Sequence, residues 1–433
     1  MSGLSSIAEG NATPAVSAAR VEGGKRLAIF TSHPIQYQAP FFRALAASGR
    51  LSPTVYFGSR HGADVALDSG FGKAFRWDVP LLDGYEHVFL SNTAAAPNVS
   101  AFRGVRLGDL GRVITRKRHD ALLVLGWQTL AHVQMVRAAW KAGIPVIVRG
   151  ESTLQRSLAV GLRGFARRTL WLPARQRLYR AAFDRVAAFL VIGSRNRDYY
   201  RSFGVPDEKF FWAPYGVDNR WFAMSEPARS LARARVREKL GVSDSAMVFA
   251  SSAKLIARKR PFDLVHAVAE ARRHGMDAHA LFIGDGEERS AILQRAAHAG
   301  VGGAISIAGF VNQQELPAWY AAADALVLPS DSRETWGLVV NEAMAAGLPV
   351  IVSDAAGCSV DLVHEGDNGF TYRCGDVRAL ATMMRRLSDL GSDGRRRLGS
   401  RSREIVAAFG VDVAAQATVD AVESVCANAT VTE

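Results

Sequence analysis

The amino-acid sequence predicts an α/β protein of two Rossmann-like domains, each a doubly wound parallel sheet, on three observations. At 433 residues the chain exceeds what one hydrophobic core usually supports. Short apolar runs of strand length recur, and each empties into a polar or glycine-bearing loop followed by apolar residues at helical spacing. That unit repeats from Arg26 to Ile192 and starts afresh at Met247, which puts a boundary near residue 215. The expected organisation is a disordered leader at 1–24, a first domain at 25–215, a second at 216–405, and a terminal helix at 406–433 packing back toward the first domain.

Apolar residues make up 48% of the chain and charged residues 22%, ordinary values for a soluble globular protein. No uninterrupted apolar stretch reaches the ~18 to 20 residues that cross a bilayer, and the first residues lack the basic-then-apolar order of a secretory signal. Cys358, Cys374 and Cys426 are odd in number and without CxxC spacing. They suit neither a disulfide framework nor a zinc site, and a cytoplasmic setting is expected. The net charge of +12 favours anionic partners: nucleotides, an anionic membrane surface or nucleic acid. Nucleic acid is set aside, because no basic recognition helix, aromatic RNA-binding motif or zinc-finger spacing occurs.

Taken in order, Arg26 to Phe30 is the first strand, and it opens into a loop carrying His33, Gln36, Tyr37 and Gln38 before Phe41, Phe42 and Leu45 mark a helix. Those loop side chains either contact a ligand or pack and cap the turn. Pro53 to Gly58 is the second strand. Asp68 to Leu90, rich in glycine, proline and aromatics, is expected to be an ordered loop, either selecting a ligand or covering the surface without contact. Ala121 to Leu125 is a buried strand, and the helix after it runs through Ala142. On that helix His132 is either a satisfied core histidine or a site residue. Val146 to Val148 is the next strand and ends in Arg149-Gly150-Glu151.

Between Leu154 and Arg185 arginines alternate with leucines, Phe165 and Trp171. This mixture suits a helix lying on an anionic membrane, with a solvated helix as the alternative. Ala188 to Ile192 is the last strand of the first half, and Phe210 to Gly216 is expected to be a linker. In the second half, Met247 to Ala250 leads to Lys254 and the run Arg258-Lys259-Arg260, whose two arginines are expected to be bystanders. Ala280 to Ile283 ends in the tight turn Gly284-Asp285-Gly286, and Ile305 to Gly309 runs into Phe310-Val311.

The most informative stretch is Ser330 to Gly369. The apolar strand Ala325 to Leu328 ends at Pro329-Ser330, so a buried parallel strand spills into a loop where open α/β sheets bind ligands. Glu334 lies in that loop, and Gly337 stands at the mouth of a helix carrying Glu342. The amides of Gly337, Leu338 and Val339 are a candidate cradle for a diphosphate, since a helix start offers free N–H groups and a favourable dipole.

Glu334 and Glu342 with seven residues between them, the Gly337-Leu338 pair, and Glu-Ala-Met-Ala before Gly-Leu-Pro-Val resemble the donor-site signature of family 4 retaining glycosyltransferases. The resemblance implies the GT-B fold, two Rossmann-like domains facing a central cleft. It places Glu334 beside the transferred sugar and Glu342 on the ribose hydroxyls. Lys254 and Lys259 match the family's cations for the donor diphosphate, Gly284 its nucleotide pocket, and Val311 the loop whose backbone contacts the base. Pro214-Tyr215-Gly216-Val217-Asp218 is similar to the family's linker segment.

Two departures stand out: the glycine pair usual in the first loop is missing, and Arg149-Gly150-Glu151 replaces a strand-end histidine. His33, Gln36, Arg149 and Glu151 are therefore the candidates for the acceptor or sugar side. The implied reaction is metal-independent, retaining transfer from a UDP, GDP or ADP sugar, with no other cofactor, to a glycan or lipid-linked acceptor in cell-surface glycan or glycolipid assembly. The protein would be cytoplasmic, or peripheral on the inner face of a membrane. A nucleotide-sugar epimerase and a non-catalytic, membrane-associated nucleotide-sugar-binding scaffold are the alternatives.

Overall fold

The computed structural model describes residues 24–63, 66–68, 73–75, 77–108, 110–155 and 176–431. The leader ahead of Gly24 and most of the basic segment, including Arg156, Arg163, Arg167, Arg168, Trp171 and Arg175, lie outside the described residues.

Seven parallel strands form the first sheet, in the order Glu86–Phe89, Leu51–Phe57, Lys25–Thr31, Ala121–Leu125, Val146–Arg149, Ala188–Val191 and Phe210–Trp212. Six parallel strands form the second, in the order Ile305–Gly309, Ala278–Ile283, Met247–Ser252, Ala325–Leu328, Val350–Ser353 and Gly369–Tyr372. In both, the chain winds outward from the first strand of the sheet and then returns to pair on its other side. The reversal leaves a crevice at the carboxyl ends of two adjacent strands. In the first sheet it lies beyond Thr31 and Leu125, and in the second beyond Ser252 and Leu328.

Central strands such as Ala325–Leu328 are buried at every position because helices cover both faces, which is why they appear in the sequence as unbroken apolar runs. Three edge strands depart from expectation. Glu86–Phe89 lies inside the stretch expected to be loop, Phe210–Trp212 lies inside the expected linker, and Gly369–Tyr372 had no expected element. The terminal helix Val411–Val431 sits on the first sheet, where Ala415, Val419, Val422 and Val425 share a core with Leu27, Ile29, Phe42 and Leu45.

Polar contacts join the two sheets' domains on either side of the crevice. Ser194 starts the helix Ser194–Arg201 and gives its amide to Asp361 Oδ2 at 3.0 Å and its hydroxyl to Asp361 Oδ1 at 2.5 Å. Arg195 donates to the carbonyls of Ala356 at 2.8 Å and Asp354 at 2.7 Å. Trp336 and Asn341 form a relay: the indole N–H donates to Asn341 Oδ1 at 2.9 Å, and Asn341 Nδ2 donates to the Tyr215 carbonyl at 3.1 Å. Elsewhere, Gln314 gives its backbone N–H to Asp78 at 3.2 Å, with Trp77 facing Phe310 at 6.1 Å between ring centres.

Candidate active site

The two strand reversals face each other across a cleft of about 390 Å³. Its second-domain wall is built by loops that leave the carboxyl ends of strands: Lys254, Arg258 and Lys259 after Met247–Ser252, Gly284 after Ala278–Ile283, Val311 after Ile305–Gly309, and Val339 and Glu342 on the helix Leu338–Ala345. The first domain contributes His33, Gln36, Tyr37, His61 and Trp77. Gly284 has φ of 151°, and a Cβ there would fall 1.9 Å from the Ala253 carbonyl oxygen, so only glycine lets these two loops meet.

Glu342 is fully buried. Its Oε2 accepts the Tyr320 hydroxyl at 2.5 Å, while Oε1 is buried without a hydrogen-bond partner among the described residues. Burial pushes this carboxyl up to about 7, against the opposing pull of the Tyr320 and Tyr37 phenols. A buried carboxylate with an empty lone pair on a cleft wall is suited to accept hydroxyl donors from a ligand.

Glu334 is held differently. It pairs with the Lys259 ammonium, accepts the Ser330 hydroxyl at 3.1 Å and stands 3.7 Å from Arg258 Nη1. Burial alone would raise its carboxyl, but the neighbouring cations and hydroxyl outweigh burial and hold it below the ordinary carboxylate range. Glu334 therefore stays ionised and is reached from the cleft through Lys259. Arg258 is not the bystander expected from sequence, since it lines the cleft and faces Glu334. Arg260 does stand apart, paired with Asp263 at 2.7 Å.

The expected amide cradle is only partly on the cleft. Gly337 caps the helix with φ of 106°, and a Cβ there would strike Leu328 at 2.6 Å. Of Gly337, Leu338 and Val339, only Val339 lines the wall.

A second cavity of about 550 Å³ opens beside the first and shares His33, Ile35 and His61 with it. Arg149 and Glu151 line this second space and not the first, together with Gln38, Gln128 and Tyr215. His33 stands on the wall common to both, with its ring 5.3 Å from that of His61. Burial, with His61 and His132 nearby, lowers the His33 pKa to about 4, so its ring is neutral near pH 7. His132 is a satisfied core residue: it completes a capping box with Thr129, and its Nε2 lies 3.2 Å from the Leu125 carbonyl.

Tyr320, Arg258, His61 and Trp77 were not expected at the site. Tyr320 falls on a helix whose spacing gives its inward face but not its partner, and His61 and Trp77 lie in loops without a periodic signal. Among the described residues no group of three or more His, Cys, Asp or Glu could hold a metal ion. No helix among them is long and apolar enough to cross a membrane.

The family model described as "Glycosyl transferases group 1" matches residues 232–405. A GDP-mannose-dependent alpha-(1-6)-phosphatidylinositol monomannoside mannosyltransferase of Mycolicibacterium smegmatis is 32% identical over 217 residues, covering 49% of this chain and 54% of the relative. A D-inositol 3-phosphate glycosyltransferase of Xylanimonas cellulosilytica is 32% identical over 230 residues, covering 52% and 53%. The chain thus spans about half the length of the curated relatives it matches. Among solved structures, Anabaena HepE in complex with UDP and glucose superposes with a TM-score of 0.67 at 18% identity, over 92% of this chain and all of that one. WaaG, a glycosyltransferase involved in lipopolysaccharide biosynthesis, superposes with a TM-score of 0.61 at 18% identity, over 91% and 98%. At such identities these structures share the fold.

Proposed function

The chain belongs to the family 4 glycosyltransferases of the GT-B fold, and from that premise we propose that it moves a sugar from a nucleotide-sugar donor to an acceptor hydroxyl with retention of configuration. The observation that carries this proposal is the convergence of Lys254, Arg258, Lys259 and Glu342 on one cleft. Glu342 accepts the ribose hydroxyls through its unfilled oxygen. Lys254 and Lys259 lie along the diphosphate, whose charge grows as the bond from the sugar's anomeric carbon to phosphate oxygen breaks. Glu334 orients the transferred sugar through Lys259. The acceptor oxygen bonds to the anomeric carbon on the face the diphosphate leaves, and the acceptor proton passes to the departing phosphate oxygen.

The donor carries uracil or guanine: HepE was crystallised with UDP and UDP-glucose, and the mycobacterial relative is named for GDP-mannose. The phosphatidylinositol acceptor named for that relative supports a glycan or lipid-linked acceptor here, met at the cytoplasmic face of an anionic membrane in cell-surface glycan or glycolipid assembly.

A thermal-shift panel of UDP, GDP and ADP and their sugars identifies the donor, since a ligand at ~100 times its dissociation constant adds about 2.7 kcal/mol of stability. With the donor in hand, NMR of the products decides the reaction. Nucleoside diphosphate released together with a new glycoside of the donor's anomeric configuration is expected. An isomerised donor sugar, or binding with no product, would overturn the proposal.

A further inference from the structure

Arg149 ends the strand Val146–Arg149, is the one Lys or Arg among the described residues lining the second cavity, and makes no ion pair among the described residues. Its guanidinium lies between two rings, 5.0 Å from the centre of Phe41 and 5.2 Å from that of Tyr215. Nη2 donates to the carbonyls of Pro214 at 3.1 Å and Ala213 at 3.4 Å, while Nε is buried with no acceptor among the described residues. Glu151, two residues on and on the same wall, acts on Arg149 through its charge without an ion pair among the described residues, and its Oε1 takes the Tyr215 hydroxyl at 2.8 Å.

A partly buried guanidinium with unused N–H groups is costly unless something accepts from it. Here the aromatic faces fix the plane of the fork before any ligand arrives, so little side-chain entropy remains to be lost on binding. A carboxylate or phosphate matches that fork with charge-assisted hydrogen bonds. Gln38, Ser100 and Gln128, on the same wall, supply amide and hydroxyl groups suited to a polyhydroxylated body. The shared wall at His33 and His61 joins this space to the donor cleft.

We propose that the acceptor is a hydroxylated molecule carrying an anionic group, which Arg149 selects, with its reacting hydroxyl turned toward the His33 wall. This inference rests on the donor cleft being where the nucleotide sugar binds. Glucose, glucuronate and glucose 6-phosphate serve as probes because they share one ring and differ only at C6, so their arms separate a neutral group, a carboxylate and a phosphate ester. Binding is followed by ligand-observed NMR with the full chain saturated in the nucleoside diphosphate that the thermal-shift panel selects.

One or both anions are expected to bind more tightly than glucose. Arg149→Gln is expected to erase that preference by about 10- to 100-fold, the loss for a charged hydrogen-bond donor, with nucleotide affinity unchanged. Arg149→Lys keeps the charge and much of the packing, and is expected to restore part of the preference. Equal binding of all three probes to the wild type, an anion preference that survives in Arg149→Gln, or anions that displace the nucleotide would each overturn the proposal. A chain that binds no nucleotide would instead remove the donor-cleft reading on which it rests.

Discussion

The Tyr320 hydroxyl donates to Glu342 Oε2 at 2.5 Å, while Oε1, buried on the wall of the cleft with the Tyr37 phenol nearby, has no hydrogen-bond partner among the described residues. The two residues are 22 positions apart and lie on different helices of the second domain. Because Glu342 titrates at about 7 and accepts hydrogen bonds better when ionised, nucleoside diphosphate affinity is expected to rise with pH through about 7. Isothermal titration of wild type beside Glu342→Gln isolates this effect, since the phosphate's own titration is common to both. The same upward shift acts oppositely on the ligand-free fold. The native state holds a proton that the unfolded chain gives up near 4.5, so this carboxyl lowers stability as pH rises from 4.5 to about 7.

The cations of the cleft should divide by position. Lys254→Ala and Lys259→Ala are each expected to lower turnover by about 10²- to 10³-fold, the cost of losing a donor aimed at developing charge. Arg258→Ala should also lower turnover, because Arg258 lines the cleft and faces Glu334. Arg260→Ala should keep most activity, its partner Asp263 being outside the cleft. Glu334→Gln should reduce turnover while leaving nucleotide affinity nearly intact, and steady-state kinetics beside a binding titration separates the two effects.

Arg237 is 1% exposed and ties the helix Glu226–Leu240 to the second sheet. It donates to Asp324 at 2.7 Å and to the carbonyls of Ala322, Ser243 and Ala246 at 3.0, 2.8 and 3.1 Å. Asp324 also accepts the Val248 amide at 2.8 Å and pairs with Arg233 at 2.9 Å, so removing the Arg237 guanidinium leaves Asp324 one counter-ion but takes the donor from three carbonyls. Arg237→Ala is expected to cost about 1.5 to 3 kcal/mol in urea unfolding, the range for lost hydrogen bonds to a charged group, because Arg233 still pairs with Asp324.

His132 is expected to make the fold acid-sensitive. Its pKa falls to about 4, chiefly through burial, whereas in the unfolded chain it takes a proton near 6.5. Its contribution is therefore complete above about 6.5 and lost as pH falls toward about 4. His132→Ala should be less stable at pH 7, because it loses the Thr129 capping box, yet should show a shallower decline of the urea midpoint between those pH values.

The sequence by itself determined the class of fold and most of the central strands. A parallel strand covered on both faces is mostly apolar, so Ala121–Leu125, Ala325–Leu328 and the stretch Ala280 to Ile283 of the strand Ala278–Ile283 stand out without any partner being known, while His279 hid the start of the last. Lys254, Lys259 and Glu342 were marked as a set by the resemblance of their motifs to the family's donor site, and the fold brings all three to one cleft.

What only the tertiary structure decided lies where a residue's role depends on its neighbours across the fold. Of the strands absent from expectation, Ala66–Asp68 and Lys73–Phe75 form a separate antiparallel pair, and Glu86–Phe89, Phe210–Trp212 and Gly369–Tyr372 are edges of the two parallel sheets. An edge has a pairing partner on one side only; Glu86–Phe89 opens on Glu-His, and Phe210–Trp212, though apolar, is three residues long and only partly buried, so neither has the length and apolar continuity of a central strand. The helix Gly391–Ala407 was likewise hidden, its opening Gly-Ser-Asp-Gly having the composition of a turn. The separation of Arg149 and Glu151 from the cleft occupied by Lys254, the pairing of Tyr320 with Glu342, and the place of Arg258 beside Glu334 depend on distances between residues far apart in the chain. For Glu334 and Glu342, burial and partner together set the charge, and neither is a property of the residue alone.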